Sequence, residues 1–265
     1  MLWNPGAVAR MLDVSPTTLR TWDRRYGLGP STRSAGNHRR YSADDVARLR
    51  RMIALTRDGV SPAVAAAAVK EVLSAPEFAE AASRLDVPLM TSTAARLIAE
   101  RGVVAAWEDV LAPFLAALGE RIAEQGAGVE IEHLASGAIL AALATRPEVT
   151  GRPCALLACA PDEQHSLPLH ALAAALTELG HATRNLGARV PARALLDTVN
   201  LLTPPVIVLW AHDRTRAEAV PLPDLLRSGH RVLLGGAGWA MEPTGTRKPA
   251  SLNEAVTTIV ELNRF

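Results

Sequence analysis

Two sets of residues in this chain have types and spacings suited to chemistry. The first is basic. Thr17, Thr18, Arg20, Arg24 and Arg25 fall on one short segment, and His38-Arg39-Arg40-Tyr41 follows a small, glycine-bearing turn at Ser34–Asn37. Hydroxyls and guanidinium groups in such an array bind phosphate oxygens and base edges. The second set lies in the other half of the chain. Glu163-Gln164-His165 follows the apolar run CALLAC at 154–159. A neutral imidazole is a metal donor, and a carboxylate two residues away can orient its other nitrogen. Gly235-Gly236 closes a second apolar run, where the lack of side chains admits close approach of something bulky or phosphorylated. Glu132-His133 sits in a helical segment. Taken singly, each feature of this second set has an ordinary reading: a loop histidine, a turn, a surface pair. Their order along the chain carries the information.

The elements that position the basic set read clearly. Residues 5–12 and 16–26 form two short helices. Ser15-Pro16 opens the second, because the hydroxyl accepts an orphan N–H and proline at the first helical position loses no hydrogen bond. Val8, Leu12, Val14, Leu19 and Trp22 make an apolar face at helical spacing. Gly27-Leu28-Gly29-Pro30 ends the second helix, and a basic hairpin follows as a wing. A third helix is expected from Ser42 to about Asp58, and Ser61-Pro62 opens a fourth. A helix-turn-helix with a basic wing is built for duplex DNA. Residues 1–51 hold ten Arg, no Lys and four Asp, against a net charge of +1 for the whole chain. The positive charge that attracts phosphates is therefore concentrated here.

The 265 residues leave room for two or three small domains, and 49% apolar content suffices for their cores. No apolar run approaches the roughly 20 residues of a membrane span, and the start of the chain does not read as a signal peptide. A cytoplasmic protein with no membrane partner is expected. Cys154 and Cys159 have the wrong spacing for a zinc site, and two thiols cannot complete one. They read as small core residues.

Residues 1–74 are assigned to the winged helix-turn-helix, with a polar break at Ser74–Glu77. Residues 76–147 read as four helices, separated by turns at Asp86–Pro88, Arg101-Gly102 and Gly126–Gly128, and so as a four-helix bundle. Residues 152–265 alternate strand and helix. Strands are expected at 154–159, 182–186, 206–211 and 231–235, with helices near 168–179, 191–202, 215–228 and 251–263. Ser251-x-x-Glu254 has the form of a capping box. This alternation predicts a doubly wound, flavodoxin-like parallel sheet. The fold class is multidomain, α and α/β. Ligands of such sheets bind beyond the carboxyl ends of the strands. That directs attention to loops 160–168, 187–190 with 211–215, and 235–249.

The string TLRTWDRRYGL, continued by STRSAGNHRRYS, closely resembles the MerR family of transcriptional regulators over roughly residues 3–72. The resemblance implies that Thr17, Thr18 and Arg20 face the DNA groove. It also implies that Tyr26, His38, Arg39 and Arg40 hold phosphates or probe the minor groove. Arg24 lies on the same helix face. No sustained heptad follows the fourth helix, so self-association is expected to depend on the later domains.

The whole order of parts resembles the cobalamin-binding MerR regulators, the light-responsive repressors of the CarH and LitR type. That resemblance implies a bundle capping the upper face of a corrin through a W-x9-E-H motif, here Glu132-His133. It implies a lower cobalt ligand, here His165, oriented by Glu163. It implies that a hydroxyl residue after the third strand and the pair Gly235-Gly236 house a nucleotide tail. The chain departs from the pattern at three positions. Ile122 stands where the motif has Trp, Pro168 where the histidine loop has Gly, and Trp210 where the hydroxyl residue belongs.

The expected function is promoter-specific DNA binding, as a repressor and homo-oligomer (dimer or tetramer). A cobalamin-type sensor would control it, with adenosylcobalamin conferring light response. The alternatives are another tetrapyrrole, or a ligand-independent regulator whose C-terminal half only oligomerises or recruits a partner. An enzyme is not expected, because no substrate-holding domain accompanies the cobalamin-like one.

Overall fold

The structure is a computed structural model and describes residues 3–30, 32–33, 39–41, 43–57, 59–147, 149–240 and 242–263. The chain divides into two compact units, Met1–Glu77 and Phe78–Phe265.

In the first unit, α1 (Pro5–Leu12) is capped by Asn4, whose Oδ1 accepts the Ala7 N–H at 2.8 Å. Helix α2 (Pro16–Tyr26) is capped by Ser15, whose Oγ accepts the Thr18 N–H at 2.9 Å. Gly27 ends α2 in the left-handed conformation, φ 64°, and its N–H returns to the Asp23 carbonyl. Glycine adopts this conformation without strain. Strands β1 (Thr32–Arg33) and β2 (Arg39–Arg40) pair antiparallel, and Trp3 bridges Tyr41. Helix α3 covers Ala43–Arg57; Ser42 and Asp58, the expected ends, lie outside the described residues. Val8, Leu12, Leu19, Tyr41, Val46, Leu49 and Met52 form the core, with Val14 and Trp22 packed at its edge.

Helix α4 (Pro62–Ser83) runs through Ser74–Glu77, where the sequence predicts a break. Pro76 lies inside it, at the cost of one backbone hydrogen bond. The division between the units falls one residue later, at Glu77. The polar, proline-bearing stretch marks a boundary between cores, not the end of a helix.

The second unit contains a helical bundle. Asp86 caps α5 (Val87–Ala106), which kinks at Gly102, φ 76° and ψ 163°. A π-helical turn at Trp107–Leu111 leads into α6 (Ala112–Gln125), and α7 (Val129–Leu143) packs along α5. Phe78 meets Phe114 edge to face at 5.1 Å, joining the end of α4 to α6. Because α5 and α6 are joined, Val87–Gln125 is long and apolar enough to cross a membrane by length and composition alone. Arg96, Glu100, Arg101, Glu108, Asp109, Glu120, Arg121 and Glu124 interrupt it, so it is not one unbroken apolar run. Met90, Ala94, Leu97 and Ile98 of α5 are buried within the unit.

The sheet comprises β3 (Ala155–Cys159), β4 (Thr183–Asn185), β5 (Val206–Trp210), β6 (Arg231–Gly235) and β7 (Thr246–Arg247). All are parallel, in the order β4-β3-β5-β6-β7. The helices are α8 (Leu167–Glu178), α9 (Ala192–Leu202), α10 (Arg214–Glu218), α11 (Leu222–Arg227) and α12 (Leu252–Leu262). Leu156, Ala158, Ile207, Leu209, Val232 and Leu234 alternate along the strands and pack with residues of α9, α10 and α11. Helix α8 covers β3 and β4 and also contacts α12. This is the doubly wound fold expected from the sequence, with two differences. A fifth, two-residue strand β7 extends the edge. The single helix expected at 215–228 is two helices, because Pro221 cannot donate to a continuous ladder. Ser251 caps α12, its Oγ accepting the Glu254 N–H at 3.1 Å, while the Glu254 carboxylate reaches back to the Ala250 N–H at 2.8 Å, one residue beyond the capping-box partner.

Connections leave β3 and β5 toward opposite sides of the sheet, since β3 leads outward to β4 and β5 to β6. Their carboxyl ends therefore flank the topological switch point, where ligands of such sheets bind.

Candidate functional site

Loop 160–166 leaves β3 at this switch point and turns Glu163 inward. The Arg189 N–H bonds the Glu163 carbonyl at 2.8 Å, and the Ala160 N–H bonds the Trp210 carbonyl at 2.8 Å, so the loop is tied on both sides. Glu163 is fully buried. Its Oε1 accepts the His165 backbone N–H at 2.8 Å and the His165 ring Nδ1–H at 2.6 Å. Its Oε2 accepts the His212 backbone N–H at 2.7 Å, from the loop after β5. Burial pushes this carboxyl up, but the N–H groups of His165 and His212 and the His165 ring outweigh burial and hold it below the usual carboxylate range. Glu163 is thus an anion at neutral pH, and it staples the two switch-point loops together.

An ionised carboxylate only accepts hydrogen bonds, so Nδ1 of His165 carries a proton, and in the neutral ring the lone pair is on Nε2. The His165 side chain is 56% exposed, and among the described residues its Nε2 has no hydrogen-bond partner. The ring lies 4.7 Å from that of His212, tilted by 34°. The arrangement is that of a metal-ligating histidine with its orienting carboxylate in place. Cys159 is no nucleophile here: burial, and then the Glu163 charge, push its thiol up to about 12. Both cysteines are free and buried, as expected of core residues.

The glycine pair faces the end of β5. A Cβ on Gly235 would lie 2.7 Å from Cε3 of Trp210, and one on Gly236 would lie 2.2 Å from the Ala211 carbonyl oxygen and 3.3 Å from Cε2 of Trp210. The indole therefore covers both glycines. Its Nε1 is buried without a hydrogen-bond partner among the described residues, so packing alone holds it there.

The bundle residues sit apart from this cluster. Glu132 Oε1 accepts the Ser136 hydroxyl at 2.7 Å, and His133 Nε2 is 3.7 Å from Glu132 Oε2 with its side chain 73% exposed. Ile122 is half-buried on α6. Among the described residues no hydrogen bond, ion pair or ring contact joins Glu132 or His133 to Glu163 or His165. The bundle meets the sheet's helices through α8 and through Glu108, which accepts the Asn253 N–H of α12 at 2.8 Å. Glu178 accepts the Val103 N–H at 2.9 Å and Arg146 at 2.6 Å. Pro168 lies in the first turn of α8, where its ring suits the helix start.

In the first unit, Thr17, Arg20 and Arg24 are exposed on α2, and Thr18 is half-buried with its hydroxyl 2.9 Å from Ser15 Oγ. Tyr26 and Arg40 are half-buried. His38 lies outside the described residues, and Arg39 is placed on β2 by its backbone. The sequence reading missed His212. Its signal was the parallel register that sets Cys159 beside Trp210, which brings the residues after each strand together.

A tailed corrin asks two things of this site: an axial donor, and a slot for the nucleotide. His165 supplies the donor. The slot is not there, because the indole of Trp210 and the Ala211 carbonyl occupy the space above Gly235 and Gly236. The residues present thus offer one imidazole donor, while Trp210 covers the glycine pair.

Residues 4–72 match the family model described as MerR HTH family regulatory protein. The chain is 30% identical over 260 residues to the HTH-type transcriptional repressor CarH of Myxococcus xanthus, covering 86% of this chain and 87% of that one. It is 34% identical over 254 residues to the HTH-type transcriptional repressor CarA of the same organism, covering 87% and 85%. The monomethylamine corrinoid protein of Methanosarcina barkeri shares the fold, with a TM-score of 0.54 at 15% identity, over 71% of this chain and 96% of that one. The chain belongs to the MerR family of transcriptional regulators, in the company of CarH and CarA, with a cobalamin-binding-like fold in its C-terminal half.

Proposed function

We propose that this protein is a cytoplasmic, promoter-binding repressor whose C-terminal half responds to a metallotetrapyrrole bound through Nε2 of His165. The observation that carries the ligand reading is the Glu163–His165 pair: a buried anion fixes the tautomer and leaves the metal-binding nitrogen exposed. In the first unit, Thr17, Thr18 and Arg20 read base edges, while Arg24, Tyr26, His38, Arg39 and Arg40 grip phosphates. Ligand binding sets the oligomeric state, dimer or tetramer, and thereby the number of DNA-binding units on a promoter. Cobalamin is the ligand implied by the sequence resemblance. Its light-responsive form, adenosylcobalamin, draws support from His165 alone, given Ile122 and Trp210. The protein is a regulator and not an enzyme, as its relatives CarH and CarA are named.

The test is a mobility shift of a promoter fragment, with size exclusion in parallel. Arg20→Ala is expected to weaken DNA binding about tenfold or more, as for loss of a base-reading guanidinium. If wild-type protein shifts no promoter fragment, the DNA-binding assignment is wrong. The filled glycine pair also favours a second reading, in which the C-terminal half only assembles the oligomer. That reading gains if His165→Ala changes neither assembly nor DNA binding with any tetrapyrrole added.

A further inference from the structure

We infer that the site takes a metallotetrapyrrole without a nucleotide tail. The inference rests on the tetrapyrrole reading above and names the class of ligand. Two observations carry it. First, among the described residues no group of three or more His, Cys, Asp or Glu could hold a bare metal ion. A metal that binds through the single exposed nitrogen of His165 must bring its equatorial ligands with it, and a tetrapyrrole macrocycle supplies four.

Second, the space between the carboxyl ends of β5 and β6 is closed. The Trp210 indole lies over Gly235 and Gly236, and Ala211 and Gly235 are joined by a 3.1 Å hydrogen bond. The Gly238 N–H bonds the Ala211 carbonyl at 3.0 Å, and a Cβ on Gly238 would lie 2.3 Å from the Asp213 carbonyl oxygen. The side chain on this face of Gly235 is the Trp210 indole, and it occupies the position from which a ligand group would approach the glycine pair. Trp239 closes the same turn from the other side, its Nε1–H donating to the Gly235 carbonyl at 3.0 Å. The chain's own tryptophan thus fills the slot while the axial donor stays open. The ligand class is a tetrapyrrole bound by its metal and its macrocycle alone, either a tail-less corrinoid or a haem.

Full-length protein would be mixed separately with aquacyanocobinamide, hydroxocobalamin and haemin, desalted, and scanned by absorption. Wild-type protein is expected to retain cobinamide or haemin at least about tenfold more tightly than hydroxocobalamin, since specificity is a difference of affinities set by what the slot rejects. His165→Ala abolishes the spectral shift of the bound pigment. Trp210→Ser opens the slot and brings hydroxocobalamin to within about threefold of cobinamide. Trp210→Phe keeps the slot filled and keeps the wild-type preference, so the ratio remains readable if Trp210→Ser fails to fold. Which of cobinamide and haemin is retained distinguishes the two sources. Equal retention of hydroxocobalamin and cobinamide by wild-type protein overturns this inference and leaves the tetrapyrrole reading standing. Retention of none of the three pigments overturns both.

Discussion

The second unit contains two glutamate–histidine pairs, and they differ in everything but composition. Glu163 is fully buried and accepts three N–H groups from two loops, with the His165 ring at 2.6 Å. Glu132 is partly exposed and bonds one hydroxyl on its own helix, with His133 at 3.7 Å and largely in solvent. One pair ties two loops together; the other lies on a helix surface. Hydrogen bonds to a buried charge are strong and costly to orphan, whereas exposed pairs contribute little. The same two residue types thus form a tightly bonded, buried anchor only where the backbone withdraws the carboxylate from water.

That contrast can be tested by breaking each side. Glu163→Ala orphans three donors and is expected to cost about 3 kcal/mol in urea unfolding, while Glu132→Ala costs under about 1 kcal/mol. Equal losses would abolish the distinction. The glycines of the two regions should also separate. Gly236 has φ 93° and its Cβ would strike a backbone carbonyl, so Gly236→Ala is expected to cost about 2–3 kcal/mol.

The pH dependence of stability follows from Glu163, whose pKa is lower folded than unfolded. Its contribution is full above the unfolded carboxylate value of about 4.3 and is lost as pH falls through the folded value. Stability curves of wild type and Glu163→Gln, measured against pH, should therefore converge in acid. Divergence there would mean that the anion is not what holds the loops.

Gly137 lies within α7 with nothing near its Cβ, so Gly137→Ala is expected to raise stability by about 0.5–1 kcal/mol, a change of opposite sign to that at Gly236. The smallest effect is at His133→Ala, within about 0.5 kcal/mol by thermal or urea melts.

Local chemistry was legible in the sequence, and long-range pairing was not. Ser15-Pro16, Gly27 and Ser251-x-x-Glu254 announce helix ends because each acts on backbone groups within a few residues. The strands at 154–159, 206–211 and 231–235 read as apolar runs because both faces of the sheet are covered. Glu163 and His165 were legible as a pair because they are two residues apart. His212 was not, since only the parallel register of β3 and β5 brings it to Glu163. Strand β7 has two residues and no alternation to show; the β6 edge creates it. The expected break at Ser74–Glu77 failed as a helix end because Pro76 is tolerated inside α4. Links from the bundle to the sheet's helices rest on distant partners: Glu178 on Val103, 75 residues away, and Glu108 on Asn253, 145 residues away.

Helix α8 begins two residues after His165 and ends on Glu178. It is 12 residues long, or about 18 Å at 1.5 Å per residue. At its far end Glu178 holds the backbone N–H of Val103, just past the kink at Gly102, together with the guanidinium of Arg146. The helix is therefore a strut with His165 beside one tip and the bundle clasped at the other. Only Ser166 separates His165 from this helix, and the far end of the helix meets α5 where Gly102 breaks its helical path.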